Sequence, residues 1–451
     1  MTVTSHTKRV EAMMKSILRC VVPLTIASSA LVACEPEDLS VGAPRCQGVS
    51  CAPHENEEAE DVSPESPERV ILPDLVQTRS VVLPCPFEQE CWSLGIDLQW
   101  LERQGQGSLL VASSIGPAVP EETPAEQPLP ERGIWVGRYI GTELQSEAFV
   151  EDPPELGDGA AFTIAFAASS REPDRAVLVV NYESPDYQTL AAYDYDDQDQ
   201  LDVLFEVDEP MHLHDAARIG DDILVVGDYQ NENVELARYT RDGELVFRQS
   251  ALRSTAPDLY ASFQVAGPAQ IRVTDDDQIV VLVPRAYKYE LVVLNARGQV
   301  LWSTWVAAGF IGEASYTARL AIAPDGAIVV GLDGYMIHRF ERDEDGLRST
   351  VVDRRRQEYF DLDLNGLEVG ASGTSYFGLI EGVVTEPHFM LERIGPQLST
   401  IESAELQTGD DGPCQWPFSF GGQLVIDSEE REAYATDGGC LTVFPLPALD
   451  D

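Results

Sequence analysis

The feature that most constrains this sequence is a pattern of strands and turns that recurs through most of the chain. In residues 221–247 (DDILVVGDYQNENVELARYTRDGELVF), two runs rich in Val, Ile, Leu and Tyr are separated by polar residues, and Asp242-Gly243 follows the second run. Glycine accepts the positive φ that a tight hairpin turn requires, so this dipeptide predicts a hairpin. The same plan returns in residues 276–302 and 325–346. The repeating unit is therefore built from strands.

The spacing of these units predicts the fold. The first apolar residue of the main strand recurs at intervals of 68, 46, 56, 49, 48 and 48 residues, at Leu109, Val177, Ile223, Ile279, Ile328, Tyr376 and Leu424. Strand-only units of this length predict an all-β chain, a single β-propeller of about seven four-stranded blades. Two of the positions match the pattern weakly, so six or eight blades are alternatives. A pair of β-sandwiches or a β-helix is disfavoured, because neither has this period.

Two stretches resemble known propeller repeats. VELARYTRDGEL (234–245) resembles the delta-sixty repeat of bacterial propellers, and QVLWSTW (299–305) resembles the closing strand of a pyrroloquinoline-quinone-like repeat. The resemblance implies blades rather than an activity. Exported quinone enzymes of this shape add Trp residues that stack on the cofactor and adjacent cysteines, whereas this chain has six Trp and no adjacent Cys pair. No cofactor is therefore expected.

The first 33 residues have the pattern of a secretory signal. A basic start precedes the uncharged run 20–33 (CVVPLTIASSALVA), which is shorter than the roughly 20 residues that a membrane helix needs. The run ends at Leu31-Val32-Ala33-Cys34, which resembles a bacterial lipobox. That resemblance implies that the signal peptide 1–33 is removed and that Cys34 carries a diacylglyceryl group and further acyl chains such as palmitate. An ordinary secretory signal with an unmodified Cys34 is the alternative.

The next segment predicts a tether rather than a domain. Residues 34–78 are rich in Glu, Pro and Ser, a composition that favours a disordered, extended chain. The propeller is then expected over residues 79–451. Asp and Glu number 77 against 30 Lys and Arg, which gives a net charge of -47 and disfavours binding to nucleic acid. An anionic leaflet would also repel this body, so the lipid at Cys34 would supply the membrane contact.

Six cysteines outside the signal peptide and lipobox predict disulfide bonds. An even number of cysteines in an exported chain is typical of a disulfide framework, and the absence of a CxxC pair disfavours a metal site built from them. Proximity in sequence favours three pairs, Cys46–Cys51, Cys85–Cys91 and Cys414–Cys440.

The HLHD stretch at residues 212–215 is the strongest candidate for a metal site. Residues at i and i+2 of a strand face the same side, so His212 and His214 could share a divalent metal ion with Asp215 nearby. A third histidine ligand, His338 or His388, would have to be brought in by the fold. A hydrogen-bonded or exposed histidine pair is the alternative.

A second cation candidate is weaker. DLDLNG (361–366) matches the opening of a calcium-binding loop, but the twelfth position is Ser372 where such a loop carries Glu. The acidic residues also alternate with leucines, which is a strand pattern.

The sequence carries no familiar catalytic motif. It contains no G-x-S-x-G elbow, no phosphate-binding P-loop and no H-E-x-x-H pair. The order of lipid, tether and propeller is similar in plan to the scaffold lipoprotein of the outer-membrane barrel-assembly machine, although likeness of architecture does not transfer function. We therefore expect an exported, monomeric protein, lipid-anchored in the bacterial cell envelope with the outer membrane or cell surface favoured. It would act as a non-catalytic binding or assembly scaffold for a protein or polymer partner. The alternatives are an exported enzyme with a channel-mouth, metal-assisted site and a structural surface component.

Overall fold

In the computed structural model, the described residues form 31 β-strands and no helix. The described parts of the chain are residues 60–62, 68–83 and most of 91–448, and the longer intervals left out of the last range are 118–131, 154–160, 250–267, 308–317, 354–361 and 408–422. Within these parts, no helix is long and apolar enough to cross a membrane.

Thirty-one strands make seven sheets, which we number as blades 1 to 7. Before the first blade come β1 (Glu60–Val62), β2 (Glu68–Ile71), β3 (Leu75–Val76) and β4 (Arg79–Val82). Blade 1 contains β5 (Cys91–Arg103), β6 (Gln106–Pro117), β7 (Gly133–Ile140) and β8 (Glu143–Glu151). Blade 2 contains β9 (Ala161–Phe166), β10 (Ala176–Ser184), β11 (Tyr187–Tyr195) and β12 (Leu201–Asp208). Blade 3 contains β13 (Met211–Ile219), β14 (Asp222–Tyr229), β15 (Asn233–Tyr239) and β16 (Leu245–Gln249).

The remaining blades follow in chain order. Blade 4 contains β17 (Gln270–Val273), β18 (Ile279–Arg285), β19 (Lys288–Leu294) and β20 (Val300–Ala307). Blade 5 contains β21 (Ala318–Ile322), β22 (Ile328–Leu332), β23 (Met336–Asp343) and β24 (Gly346–Asp353). Blade 6 contains β25 (Leu362–Val369), β26 (Ser375–Glu381), β27 (His388–Ile394) and β28 (Thr400–Gln407). Blade 7 contains β29 (Leu424–Ile426), β30 (Glu432–Asp437), β31 (Cys440–Pro445) and, as its fourth strand, β4.

The blades stand side by side in a closed ring. The first strand of each blade neighbours the first strand of the next, and β29 of blade 7 neighbours β5 of blade 1. These seven inner strands surround the central channel of a seven-bladed β-propeller, which confirms the predicted fold class.

An apolar layer lies between each pair of neighbouring blades. Strand β18 shows how alternation builds these layers. Its Val280 and Leu282 pack towards blade 5, whereas Ile279, Val281 and Val283 pack towards blade 3. Because side chains of a strand alternate between the two faces, a strand buried on both faces is apolar throughout, and this produces the repeated Val/Ile/Leu runs.

The ring closes where a strand that precedes blade 1 pairs with the last strand of blade 7. Strand β4 runs antiparallel to β31, with Arg79 opposite Val443 and Val82 opposite Cys440. The position of one repeat was predicted wrongly. Six of the seven spaced positions lie on the second strand of a blade, but Leu424 lies on the inner strand β29. The second strand of blade 7, β30, begins only at Glu432, so the expected spacing falls on the strand before it.

Part of the predicted tether is folded. Strand β1 pairs in parallel with β24 of blade 5, and β2 and β3 pair in parallel with β28 of blade 6. Leu72 and Leu75 also pack into the apolar layer between blades 6 and 7. The outer strand of a blade has unpaired backbone groups, so an extended segment with several apolar residues can add to it. The expected boundary at residue 79 therefore lies too late, since residues 68–76 already belong to sheets.

The predicted hairpin turns are present. Gly243 and Gly298 have φ of 82° and 77°, and each sits between the last two strands of its blade. Beside the second turn, the Asn295 side-chain oxygen accepts hydrogen bonds from the backbone N–H groups of Arg297 (2.9 Å) and Gln299 (3.0 Å). Glycine at the positive φ and an Asn cap together fix this hairpin.

Candidate functional site

Charged side chains from five of the inner strands converge on the central channel. They are Asp97 on β5, Asp215 on β13, Arg272 on β17, Arg319 on β21 and Glu368 on β25. Each is partly exposed although it lies on an innermost strand. The charge of at least one other member changes the pKa of Asp97, Arg272, Arg319 and Glu368. We call these five residues the channel cluster.

A β-bulge sets the direction of Asp215. The pairing of β13 with β14 shifts between Leu213 and Asp215, so that Leu213 and Ala216 pack into the same apolar layer although they are three residues apart. Without this shift, Asp215 would share the apolar face of Leu213. The inner strands β5 and β25 have similar shifts a few residues before their own cluster members, Asp97 and Glu368.

The two aspartates join neighbouring blades. Asp215 accepts hydrogen bonds from the backbone N–H of its following residue (2.9 Å) and from the N–H of Ile271 in the next blade (3.0 Å). Asp97 does the same with the N–H of its own following residue (3.0 Å) and the N–H of Phe166 in blade 2. These carboxylates therefore satisfy backbone donors at the seams between blades.

Neutral side chains fill the same role at two other seams. Gln270 accepts a hydrogen bond from the N–H of Leu320 (2.7 Å) and donates one to the carbonyl of Ala318. Gln423 accepts from the N–H of Leu98 at 2.8 Å, which joins blade 7 to blade 1. A seam can thus be closed by an uncharged amide.

Burial raises the pKa of two carboxyl groups of the cluster, those of Asp97 and Glu368. The pKa of Asp97 rises to about 6, because burial and the nearby Asp215 outweigh the hydrogen bonds from Phe166 and Gln423. The pKa of Glu368 rises to about 7 through burial, which Arg272 offsets only in part. At pH 7, Asp97 is therefore mainly ionised and Glu368 is about half ionised.

The two arginines supply the positive charge of the channel. Arg272 donates from Nη1 to Asp215 Oδ2 (2.7 Å) and to the carbonyl of Ile271 (2.6 Å), and 40% of its side chain is exposed. Burial acts to lower the pKa of Arg272, but Asp215 outweighs it and the pKa is raised. Burial lowers the pKa of Arg319, and the neighbouring Arg272 lowers it further. Both guanidinium groups stay protonated, since an arginine does not lose its proton in a protein.

Glu368 differs from the other carboxyl groups of the cluster. Among the residues that the structure describes, none donates a hydrogen bond to it. The cluster therefore presents two guanidinium groups and one carboxyl group that has unused acceptor capacity. A guanidinium binds carboxylate or phosphate through paired hydrogen bonds, and a carboxyl group accepts from an amine or a hydroxyl.

The two histidines predicted to bind a metal lie close together, but their Nδ1 atoms have different partners. Nδ1 of His212 lies 3.0 Å from Oε2 of Glu183 in blade 2. Nδ1 of His214 accepts from the N–H of Ala269 (3.1 Å), and its Nε2 lies 3.3 Å from Oδ2 of Asp228. His214 is the extra residue of the β13 bulge, so the expected i, i+2 alternation is broken. The two rings stand perpendicular with centroids 5.7 Å apart.

The other metal residues lie elsewhere. Asp215 faces Arg272, His338 on β23 stacks on Phe340, and His388 on β27 pairs with Glu405. Across the described parts of the chain, no group of three or more His, Cys, Asp or Glu side chains is arranged to hold a metal ion. Metal binding at His212 and His214 stays a prediction.

Most of the remaining predicted sites lie outside the described residues. These are Cys34, Cys46, Cys51, Cys85 and Cys414. Cys91 begins strand β5. Cys440 on β31 is disulfide-bonded, and its predicted partner Cys414 lies outside the described residues, so each pairing stays a prediction. The calcium candidate falls on strand β25, which begins at Leu362, so the backbone there is a strand rather than a calcium-binding loop.

Four members of the channel cluster were missed by the sequence prediction. Two of these four, Arg272 and Arg319, could have been predicted, because each is an arginine inside a short apolar strand at the start of a unit. QIRV (270–273) and ARLAI (318–322) both have this pattern. A charged residue there is costly unless the strand lines a channel.

The fold and the cluster define the class of this protein as a seven-bladed β-propeller with a charged channel. No protein-family profile matches the chain, so the resemblance to delta-sixty and quinone-like repeats is supported only as far as the propeller fold. No curated protein matches it either.

Several solved structures are similar in outline. A member of the DUF4221 family from Bacteroides vulgatus is 10% identical, with 84% of this chain and 99% of that chain covered and a TM-score of 0.40. Sqt1 of Saccharomyces cerevisiae is 11% identical over 83% of this chain and 99% of that chain, with a TM-score of 0.41. A protein of unknown function from Bacteroides caccae is 13% identical over 60% of this chain and 94% of that chain, with a TM-score of 0.36. These values carry no inference about function, and the propeller assignment rests on the strand pairing itself.

Proposed function

We propose that this protein is an exported, lipid-anchored binding scaffold of the bacterial cell envelope. Cys34 carries the lipid, and the propeller holds a protein or polymer partner through a charged group that enters the central channel. The scaffold performs no catalysis. The observation that supports this proposal most is the convergence of five charged side chains, one from each of five inner strands.

Cohesion of the ring alone does not account for the cluster. Gln270 and Gln423 join blades without any charge, whereas placing a charge on an inner strand carries a desolvation cost. Asp97 and Asp215 have a role at the seams, but Glu368 accepts no hydrogen bond from a described residue. Side chains that are costly to the fold are typical of binding sites.

The chemistry of the cluster indicates what the partner presents. Two guanidinium groups favour a carboxylate or phosphate, and Glu368 favours an amine or hydroxyl close to it. The chain as a whole carries a net charge of -47, and its surface repels anions. The arginines would therefore select an anionic group that is presented inside the channel together with a hydrogen-bond donor.

Capture of partners from envelope extracts tests this proposal. Purified wild-type protein is compared with Arg319→Gln and Glu368→Gln, which leave the Asp215–Arg272 ion pair intact. The control is Arg431→Gln, whose side chain is 71% exposed at a turn of blade 7. We expect both channel variants to retain at least tenfold less partner, with no change in the control. Equal capture by all proteins, or no specific partner at several salt concentrations, would overturn the proposal.

Two further measurements test the anchor and the alternative of a metal-assisted enzyme. Cys34→Ala should move the protein from the membrane fraction to the soluble fraction, and continued membrane retention would contradict lipid anchoring. Metal analysis of the purified protein tests the enzyme alternative. Stoichiometric metal, with a melting temperature that falls in chelator, would favour that alternative over a scaffold.

A further inference from the structure

The inner strands align their side chains at common levels along the channel. Neighbouring inner strands run in parallel, as the bridge between Ala168 and Ala217 shows for blades 2 and 3. Between blades 4 and 5, the side chain of Gln270 accepts a hydrogen bond from the N–H of Leu320 at 2.7 Å. This bond places Gln270, which we call the seam residue of blade 4, level with Arg319.

Arg272 and Glu368 lie at the next level, beyond the seam residues. Arg272 follows the seam residue of blade 4 by two positions, so both face the same side of their strand. The equivalent seam residue in blade 6 is Gly366, since a Cβ atom added there would lie 3.0 Å from the backbone N of Leu424 in blade 7. Glu368 follows Gly366 by two positions. Blade 5 places Ala321 at this level, and its short side chain leaves space between the two charged groups.

The two charged groups have unused hydrogen-bonding capacity. The charge of Arg272 and that of Glu368 each change the pKa of the other group, and both side chains are partly exposed. Nη1 of Arg272 donates to Asp215 (2.7 Å) and to the carbonyl of Ile271 (2.6 Å), whereas Nε and Nη2 have no acceptor among the described residues. A carboxylate can bind this free edge through paired hydrogen bonds. Glu368 can accept from a donor, since no described residue donates to it.

The balance of charge favours a ligand that carries both signs. Asp215 already pairs with Arg272, and the remaining members of the channel cluster are Arg319, Asp97 and Glu368. A ligand with negative charge only would lie beside two further carboxyl groups, inside a chain whose net charge is -47. A zwitterion has no net charge, so it enters the channel without that repulsion and satisfies both poles.

We propose that this level of the channel binds the zwitterionic part of an amino acid, with its carboxylate on Arg272 and its ammonium group on Glu368. The inference rests on the proposed function, because it specifies the group that enters the channel. The amino acid is either dissolved or attached to a polymer through its side chain, since both sources present the same two charged groups.

Three small probes test the inference. Glycine carries both charges, N-acetylglycine carries only the carboxylate, and glycinamide carries only the ammonium group. Isothermal titration calorimetry of the purified full chain at pH 8, where Glu368 is mainly ionised, measures each affinity. The protein variants are Glu368→Gln and Arg272→Lys, which keeps the positive charge but lacks the paired donors. The control is Arg431→Gln, whose side chain is 71% exposed.

We expect glycine to bind the wild type at least tenfold more tightly than either of the other probes. Glu368→Gln should abolish the preference for glycine over N-acetylglycine, and Arg272→Lys should weaken glycine binding at least fivefold. Arg431→Gln should leave all three affinities unchanged. Equal affinity for glycine and N-acetylglycine, or glycine binding that neither channel variant weakens, would overturn the inference.

Adding the probes to the capture experiment separates the two sources and the two proposals. If glycine displaces the captured partner and glycinamide does not, the amino acid belongs to the partner. If glycine binds without displacing the partner, the ligand is a dissolved amino acid. If no probe binds, the inference is refuted. The proposed function would still stand in that case if capture depended on Arg319 and Glu368, and it would fall as well if capture did not.

Discussion

Glu368→Gln should stabilise this propeller, and more so as the pH rises. The pKa of Glu368 is raised from its ordinary value of 4.5 to about 7 because the carboxylate is buried on an inner strand. A raised pKa means that the folded state prefers the protonated form, so the contribution of this group to stability is fully present below pH 4.5. It is lost as the pH rises through 7. At about 1.4 kcal/mol per pKa unit, the wild type loses about 3 kcal/mol by pH 8.

Glutamine has the shape of the protonated acid but cannot ionise, so the variant escapes this loss. Urea unfolding of both proteins at pH 5 and pH 8 measures this loss of unfolding free energy. The variant should gain up to about 3 kcal/mol over the wild type at pH 8 and little at pH 5. Glu244→Gln, at an exposed turn position, is the matched control and should give no such difference. A stability difference between variant and wild type that does not change with pH, or a less stable variant at pH 8, would refute the reasoning. A confirmed gain would mean that the wild-type protein keeps a carboxyl group that destabilises it, as binding sites often do.

Three further changes test the seams and the closure of the ring. Leu441→Ala should cost about 2–5 kcal/mol in urea unfolding, because this fully buried side chain lies between blades 7 and 1; a cost below 1 kcal/mol would contradict that packing. Gln270→Ala should leave the N–H of Leu320 without its acceptor and cost about 1–3 kcal/mol, with faster hydrogen exchange at that amide as the specific readout. Deleting residues 1–84 should abolish cooperative unfolding, because β31 loses its partner β4, whereas deleting residues 1–59 should preserve it. Cooperative unfolding of the protein that lacks residues 1–84 would show that β4 is dispensable.

The architecture of the ring could be predicted from sequence because it depends on local, repeated signals. Runs of Val, Ile and Leu on strands such as β18 reflect burial on both faces, and the Gly turns reflect a required positive φ. The assignment of Leu424 was wrong for a physical reason. The interval from Tyr376 to the second strand of blade 7 is longer than 48 residues, so a 48-residue step from Tyr376 reaches the inner strand β29 and not the second strand β30.

The channel cluster was largely invisible in the sequence because its directions depend on β-bulges. One extra residue in a strand reverses the face of every residue after it. His212 and His214 look like alternating residues on one face, but the bulge at His214 breaks that alternation and turns Asp215 towards Arg272. Hydrophobic alternation shows that a strand exists, whereas a bulge is set by pairing with the next strand.

The closure of the ring also dictates an order of folding. The Thr78 hydroxyl donates to the carbonyl of Val443 at 3.2 Å, across 365 residues of sequence. Contacts between residues so far apart form late, since the loop between them must first be ordered. Strand β4 leaves the ribosome before β31 exists, so it must remain unpaired until the last blade arrives. During that interval the nascent chain has two complementary open edges, and β4 of one molecule could pair with β31 of another. The strong negative charge keeps neighbouring chains apart and would favour closure within one molecule.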